Sequence, residues 1–249
     1  MTGDSDKKLK EYEEALIYLQ EKYENEKNPE TLEDIAKHLS HIGILYSNEG
    51  ESQKALDHFE RSYGSYERLK NLPGMAEQLT NMSVIYISKR ESQKALETLQ
   101  KAYDLHERLE NLPGMAGALG TMGLIYRDTG QFHKTLEYLQ KAYDIYEQIN
   151  SPKGMAAILS NMGPIYMGLK QPDKALESLQ RSYELHEQLE DIKGMAGQLS
   201  NLGIIYSTLQ EYEKSLDYFQ KAYDLFEQLG AQTQLDLVSS NIESLKKKL

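Results

Sequence analysis

The sequence repeats itself every 40 residues. The tripeptide Gly-Met-Ala recurs at four places 40 residues apart, beginning at Gly74, Gly114, Gly154 and Gly194. An earlier, degenerate copy covers residues 31–70, and the last full copy ends at residue 230. A fixed period of this length is typical of chains that stack one small unit many times. We therefore predict five units, at 31–70, 71–110, 111–150, 151–190 and 191–230, with a half unit at 1–30 and a capping helix at 231–249.

Each unit is predicted to contain two helices. In the third unit, apolar residues between Leu119 and Tyr126 recur every three or four residues, as they do on one face of an α-helix. A second stripe runs from Leu136 to Tyr146, and Gly130 between the stripes suits the left-handed turn at a helix end. No segment alternates with a period of two over the length of a strand. The sequence therefore predicts an all-α fold.

Glycines such as Gly43 and Gly163 share one position of the first helices, and we predict that they allow two helices to approach closely. Large residues also keep fixed positions, and the spacing resembles a known repeat. Ile42-Gly43-x-x-Tyr46 with Ala55-x-x-x-Phe59, and Leu202-Gly203-x-x-Tyr206 with Ser215-x-x-x-Phe219, resemble the tetratricopeptide pattern. The first helix lacks the usual Trp, and the 40-residue period exceeds the usual one of about 34; it is similar to that of kinesin light chains and of bacterial and archaeal signalling arrays. The resemblance implies a right-handed α-solenoid of antiparallel helix pairs, the tetratricopeptide superhelix.

The resemblance also implies that the first helix of each unit lines a concave groove, and a polar column of candidate binding residues follows these helices. The column consists of His41, Asn81, Thr121, Asn161 and Asn201, and the position before it holds Ser160 and Ser200. An Asn amide offers donors and an acceptor, so a ladder of them can pair with the backbone of an extended peptide. Alternatively, these side chains satisfy local backbone groups near the helix crossings.

A second candidate column on the same helices is apolar. It contains Val84, Leu124 and Ile204, together with Ile44 and Pro164. These residues either form pockets for the side chains of a ligand or pack between repeats. The groove lacks the cations with which chaperone-binding relatives hold a carboxylate, so the expected partner is a protein or peptide segment, extended or helical, with apolar anchors.

Composition and motifs argue against most other functions. The chain has a net charge of −11 and no Cys, which disfavours nucleic acid and anionic membranes and excludes thiol chemistry. There is no phosphate loop, G-x-S-x-G or zinc-protease motif, and His106 and His186 are predicted to be packing residues. We expect no catalytic residue, metal or cofactor, and a cytoplasmic location.

Two functions remain open at this point. The first is a non-enzymatic scaffold or adaptor that binds a peptide segment of a partner in the concave groove. The alternative is a structural or self-assembly module, or the sensor arm of a larger signalling protein, which acts through its ends. Residues 7–27 read as a second helix without a first-helix partner, so a homo-oligomer through this N-terminal helix is possible.

Overall fold

The computed structural model describes residues 3–249, and within them the chain forms twelve α-helices and no strand. The helices are α1 (Gly3–Glu26), α2 (Pro29–Asn48), α3 (Ser52–Leu69), α4 (Leu72–Ser88), α5 (Ser92–Arg108), α6 (Leu112–Asp128), α7 (Phe132–Gln148), α8 (Pro152–Gly168), α9 (Pro172–Gln188), α10 (Ile192–Thr208), α11 (Tyr212–Gln228) and α12 (Gln232–Lys246). The prediction of an all-α fold built from helix pairs is confirmed. Across the described range, no helix has the length and apolar character needed to cross a membrane.

The helices belong to two compact units, one reaching Ile125 and the other starting at Tyr126. In the first unit α2 packs on α1 and α3, and α4 packs on α3 and α5. In the second unit α8 and α10 each pack on the two helices that flank them in the chain, and α12 packs on α11. Even-numbered helices are the first helices of the repeats, and odd-numbered helices are the second.

Close approach within a pair depends on small residues, as the sequence predicts. The position of a Cβ on Gly43 lies 2.6 Å from Cε1 of Phe59, and on Gly163 it lies 2.7 Å from Cδ2 of Leu179. A side chain at either glycine would push the neighbouring helix away. Ser62 Oγ also reaches across to the carbonyl of Ala36, at 2.8 Å.

The Gly-Met-Ala repeat is explained by a cap and a ring that meet at the start of each first helix. Asn71, Asn111, Ser151 and Asp191 precede these helices, and each accepts a hydrogen bond from the backbone N–H of the glycine three residues later. This bond satisfies one of the free donors at the helix N-terminus.

An aromatic ring from the preceding second helix covers each of these glycines. The rings belong to Tyr66, His106, Tyr146 and His186, and each occupies the space that a Cβ on the glycine would need. Two of the four are the histidines that the sequence predicts to be packing residues. The fold therefore requires glycine at these positions, and both histidines are used in packing.

Helices end in a left-handed residue throughout the array. Gly50, Gly130 and Gly230 have φ values of 79°, 73° and 62°, so the prediction for Gly130 is confirmed. Other junctions place an ordinary residue there, and its φ lies between 48° and 63°: Lys27, Lys70, Arg90, Glu110, Asn150, Lys170, Glu190 and Gln210. This conformation closes the helix end because the next N–H groups return to its last carbonyls.

Candidate functional site

The predicted polar column is only partly covered by the fold. His41 is exposed, and Asn81, Thr121, Asn161 and Asn201 are half-buried. Ser160 and Ser200, one position earlier, are also half-buried. These side chains all lie on first helices, as predicted. Their role in binding stays a prediction.

In the second unit the polar column joins two first helices through hydrogen bonds. Gln198 is buried, and its Nε2 donates to Ser160 Oγ at 3.0 Å. Asn201 Nδ2 donates to Gln198 Oε1 at 3.4 Å, a long bond that leaves the amide oxygen of Asn201 available. Asn161 has no side-chain hydrogen bond to any of residues 3–249. Two amides are thus held at this surface with unused hydrogen-bonding capacity.

Beside these amides lies an open apolar pocket of about 390 Å³. Its lining residues come from α8, α9 and α10 and are Pro164, Met167, Leu179, Asn201, Ile204, Ile205 and Thr208. Half of the Ile204 side chain is exposed (50%), although it is a large apolar group. Because Pro164 has no N–H, α8 cannot make the hydrogen bond to the carbonyl of Ser160 that its geometry would otherwise give.

In the first unit a pocket at a different repeat position has a more polar set of lining residues. Thr80 and Asn81 line a pocket of about 480 Å³ together with Glu77, His106 and further residues from the start of α4 and from the junction between α5 and α6. Val84 and Ile44 of the apolar column are exposed, at 56% and 38%. Exposure of these side chains favours a ligand surface over packing between repeats at these two positions.

The other predicted residues have different surroundings from one another. Thr121 Oγ1 donates to the carbonyl of Gly117 at 2.9 Å, and the ring of His41 lies 5.1 Å from that of Tyr12. Leu124 is half-buried. Ser200 Oγ is buried and has no partner among the described residues. The local interpretation therefore fits Thr121 better than a ligand-binding role does.

Three segments of the chain, residues 34–108, 114–188 and 154–228, match the family model described as Tetratricopeptide repeat. This chain belongs to the tetratricopeptide repeat family. The resemblance predicted from the Gly-x-x-Tyr and Ala-x-x-x-Phe spacing is thereby confirmed. No curated protein sequence matches this tetratricopeptide array.

Solved structures share its fold at low sequence identity. BtubC (BKLC) from P. vanneervenii is 14% identical with a TM-score of 0.79, and the match covers 92% of this chain and 93% of that one. Repeats of a putative kinesin light chain from Podosopora anserina are 14% identical with a TM-score of 0.65, covering 78% and 96%. A Rap protein complexed with Competence and Sporulation Factor is 16% identical with a TM-score of 0.60, covering 97% and 71%.

Two buried glutamines of the tetratricopeptide array were not predicted as part of the site. Gln198 forms the link described above, and Gln78 occupies the same repeat position three repeats earlier. Gln78 is fully buried, yet neither its Oε1 nor its Nε2 has a partner within residues 3–249, and Asn81 Nδ2 is also unpaired there. The available signal was a Gln at this repeat position in two repeats, where the two repeats between them carry Ala118 and Ile158.

Polar side chains of the tetratricopeptide array also hold the junctions between second and first helices. Burial lowers the pKa of His106. The amide Nδ2 of Asn111 donates a hydrogen bond to Nδ1 of this imidazole at 3.1 Å. The backbone N–H of Gly194 is the main cause that lowers the pKa of Asp191, with His186 adding to it. Within the described residues no cluster of three His, Asp or Glu side chains has a geometry suited to a metal ion. Repeats of this family are generally interaction modules and not catalysts.

Proposed function

We propose that this array is a non-enzymatic adaptor that binds an extended peptide segment of a partner protein along its first helices. The observation that supports this most strongly is the junction of α8 and α10, where the Asn201 amide borders an open apolar pocket. Hydrogen-bonding groups that fix orientation, next to an apolar depression, are typical of ligand sites. In this proposal the partner is met in the cytoplasm.

The chemistry of the two amides suits a peptide backbone. An extended peptide offers a donor and an acceptor at each residue, and an Asn amide offers both in return. Within residues 7–249 the side chain of Asn161 has no hydrogen-bond partner and the amide oxygen of Asn201 is free, so both can bond without breaking the Gln198 link to Ser160. A side chain of the peptide would then enter the pocket next to Ile204.

The surrounding charge also supports a peptide with apolar anchors. The pocket beside Asn201 has no charged lining residue. A strongly charged side chain there would lose its hydration without gaining an ionic partner, which is costly. The Rap protein of similar fold was solved in complex with Competence and Sporulation Factor, so a chain of this architecture is compatible with a bound factor.

The test compares binding after removal of the amides. The double variant Asn161→Ala, Asn201→Ala and the control Asn25→Ala, Asn48→Ala, whose residues are exposed, are used beside the intact chain in pull-downs from lysate. The affinity of each recovered partner is then measured by calorimetry. Because each amide bond contributes about 0.5–1.5 kcal/mol, we expect the double variant to bind about five- to a hundredfold more weakly.

The control variant should bind like the intact chain, and circular dichroism should show that both variants remain helical. Equal affinity of the double variant for every recovered partner would contradict the proposal. It would also show that partners bind elsewhere on the array.

Self-assembly is a second candidate function, and one observation favours it. Ile17 and Tyr18 are adjacent on α1 and are exposed at 58% and 65%. Large exposed apolar side chains are a feature of surfaces that meet another protein. In this case the array would act through α1, as an assembly module or as the sensor arm of a larger signalling protein.

A further inference from the structure

A pocket between the second helices α1 and α3 is cationic, in contrast to the rest of the chain. It has a volume of about 550 Å³, and Leu32, Ile35 and Leu39 of α2 contribute its apolar lining. Three cations and one anion also line it: Lys27, Arg61, Arg68 and Glu24. An excess of positive charge here is unexpected because the whole chain carries −11.

Two departures from the repeat produce this excess. Gly64 stands where the other second helices carry an acid: Glu24, Asp104, Asp144, Glu184 and Asp224. Lys27 stands where the five later ones all carry glutamate: Glu67, Glu107, Glu147, Glu187 and Glu227. Both departures make the pocket more positive, so they reinforce one another.

The equivalent pocket between α7 and α9 shows what the usual residue does. There Glu184 occupies the repeat position of Gly64, and its Oε2 lies 3.8 Å from Nη1 of Arg181. Lys174 and Glu177 also line that pocket, so its charges balance. At Gly64, by contrast, a Cβ would meet no atom within 4 Å. Because the acid is missing at Gly64, the pocket has open space and its positive charge is not balanced.

The arginines of the α1/α3 pocket have little compensation. Nη2 of Arg68 donates to the hydroxyl of Tyr23 at 2.9 Å, which is a neutral partner, and no carboxylate of residues 7–249 lies within ion-pairing distance of it. Among residues 7–249, the one carboxylate paired with Arg61 is that of Asp57, at 3.7 Å and on an exposed surface. Lys27 is paired with Glu24 at 2.6 Å, and together with Arg68 it holds the pKa of that carboxyl below its ordinary value.

We propose that the α1/α3 pocket binds an acidic peptide segment, with a carboxylate against Arg61 and Arg68 and a neighbouring apolar side chain on Leu32 and Ile35. Guanidinium groups pair with carboxylates through two parallel hydrogen bonds, which makes arginine the preferred partner. The pocket is much larger than a single inorganic anion, and its apolar lining offers nothing to one. The site lies on the second helices, so it does not depend on the binding proposed for Asn161 and Asn201.

The test measures the binding of a labelled acidic peptide to the full chain by fluorescence anisotropy. The probe is a fluorescein-labelled hexapeptide of alternating Glu and Leu, and the control peptide has Gln in place of Glu. The key variants are Gly64→Glu, which restores the acid of the other repeats, and Gly64→Gln, which has the same size without the charge. Both replace a helix glycine that has open space around it, so neither should destabilise α3.

We expect the Glu peptide to bind the intact chain more tightly than the Gln peptide, and to bind more weakly as salt is raised. Gly64→Glu should weaken its affinity at least about tenfold relative to Gly64→Gln. Arg68→Gln should weaken it as well.

The proposal is overturned if the intact chain does not distinguish the two peptides, or if Gly64→Glu and Gly64→Gln bind the Glu peptide equally. Inorganic phosphate serves as a competitor. Displacement of the Glu peptide by phosphate at similar molar concentration would also overturn it, because the pocket would then be a general anion site.

Discussion

At the scale of single residues, two glycines of α6 have opposite functions. The ring of His106 occupies the space where a Cβ on Gly114 would stand, and the backbone N–H of Gly114 donates to the cap residue Asn111. Gly117, three residues later in the same helix, has no atom within 4 Å of its Cβ position. The first glycine is required by packing, whereas the second only lowers helix propensity.

This difference predicts opposite effects of the same substitution. Gly114→Ala should destabilise the chain by about 1–3 kcal/mol because the added methyl overpacks against His106. Gly117→Ala should stabilise it by about 1 kcal/mol because alanine is the better helix former. Urea unfolding followed by circular dichroism measures both, and destabilisation of equal size in the two variants would contradict the packing argument.

At the scale of helices, the junctions before α6 and α10 have nearly the same hydrogen bonds but differ in the charge of the capping residue. In both, a capping residue holds a glycine N–H and also contacts the Nδ1 of a histidine five residues before it. The capping residue is Asn111 in one case and Asp191 in the other. Only the second junction can therefore depend on pH through its cap.

Asp191→Asn should remove this pH dependence while keeping the cap. The folded-state pKa of Asp191 is lower than the ordinary 3.8, so the ionised cap stabilises the fold above that pH. The stabilisation is lost as the pH falls through the folded-state pKa. We therefore expect the unfolding midpoint of the intact chain to exceed that of the variant at about pH 6, and the difference to shrink by about pH 3.

The matched control for this measurement is Glu177→Gln, at an exposed carboxylate in the middle of α9. Its difference from the intact chain should change little over the same pH range. A difference for Asp191→Asn that grows as the pH falls would show that the sign of the argument is wrong.

At the scale of the whole molecule, stability comes from contacts between helices that are neighbours in the chain. In the first unit α2 and α4, and in the second unit α8 and α10, pack on the second helices that flank them. α1 begins this series, and its exposed Ile17 and Tyr18 lie outside the packing of the first unit. An assembly function would have to use such a surface.

This surface predicts dimers if self-assembly is the function. The mass from light scattering should then rise with concentration for the intact chain, and Ile17→Glu should keep it monomeric because a charge there would be buried without a partner. Val84→Glu is the control, since Val84 is exposed to a similar extent on a different helix. A strictly monomeric intact chain at high concentration would rule out self-assembly through α1.

The sequence was sufficient to predict the helices, because a 40-residue period and stripes of apolar residues are local signals. It also predicted that Gly43 and Gly163 allow close helix contact. The role of Gly114 was not predictable in the same way, because the ring of His106 meets it only after the chain has turned at the junction. Which polar side chains keep free hydrogen-bonding groups also depends on distances between helices. The sequence therefore could not distinguish Asn201 from Thr121, which occupy the same repeat position.

The cationic pocket was missed for a different reason. Most second helices carry an acid at the repeat positions of Gly64 and Lys27, as Glu67 and its equivalents show. Lys27 and Gly64 depart from this pattern at two repeat positions in consecutive second helices. Only the structure shows that these two residues line one pocket.

Because the helices end in left-handed residues, recombination can delete or insert whole repeats of the array. Asn150 and Glu190 both adopt this conformation, and each is followed by a capping residue, Ser151 or Asp191. A crossover that removes residues 151–190 joins Asn150 to Asp191, which recreates the same turn and cap and brings the ring of Tyr146 to Gly194. The gene can therefore shorten or lengthen by whole repeats without inventing a new loop, and the length of the binding surface can evolve separately from its chemistry.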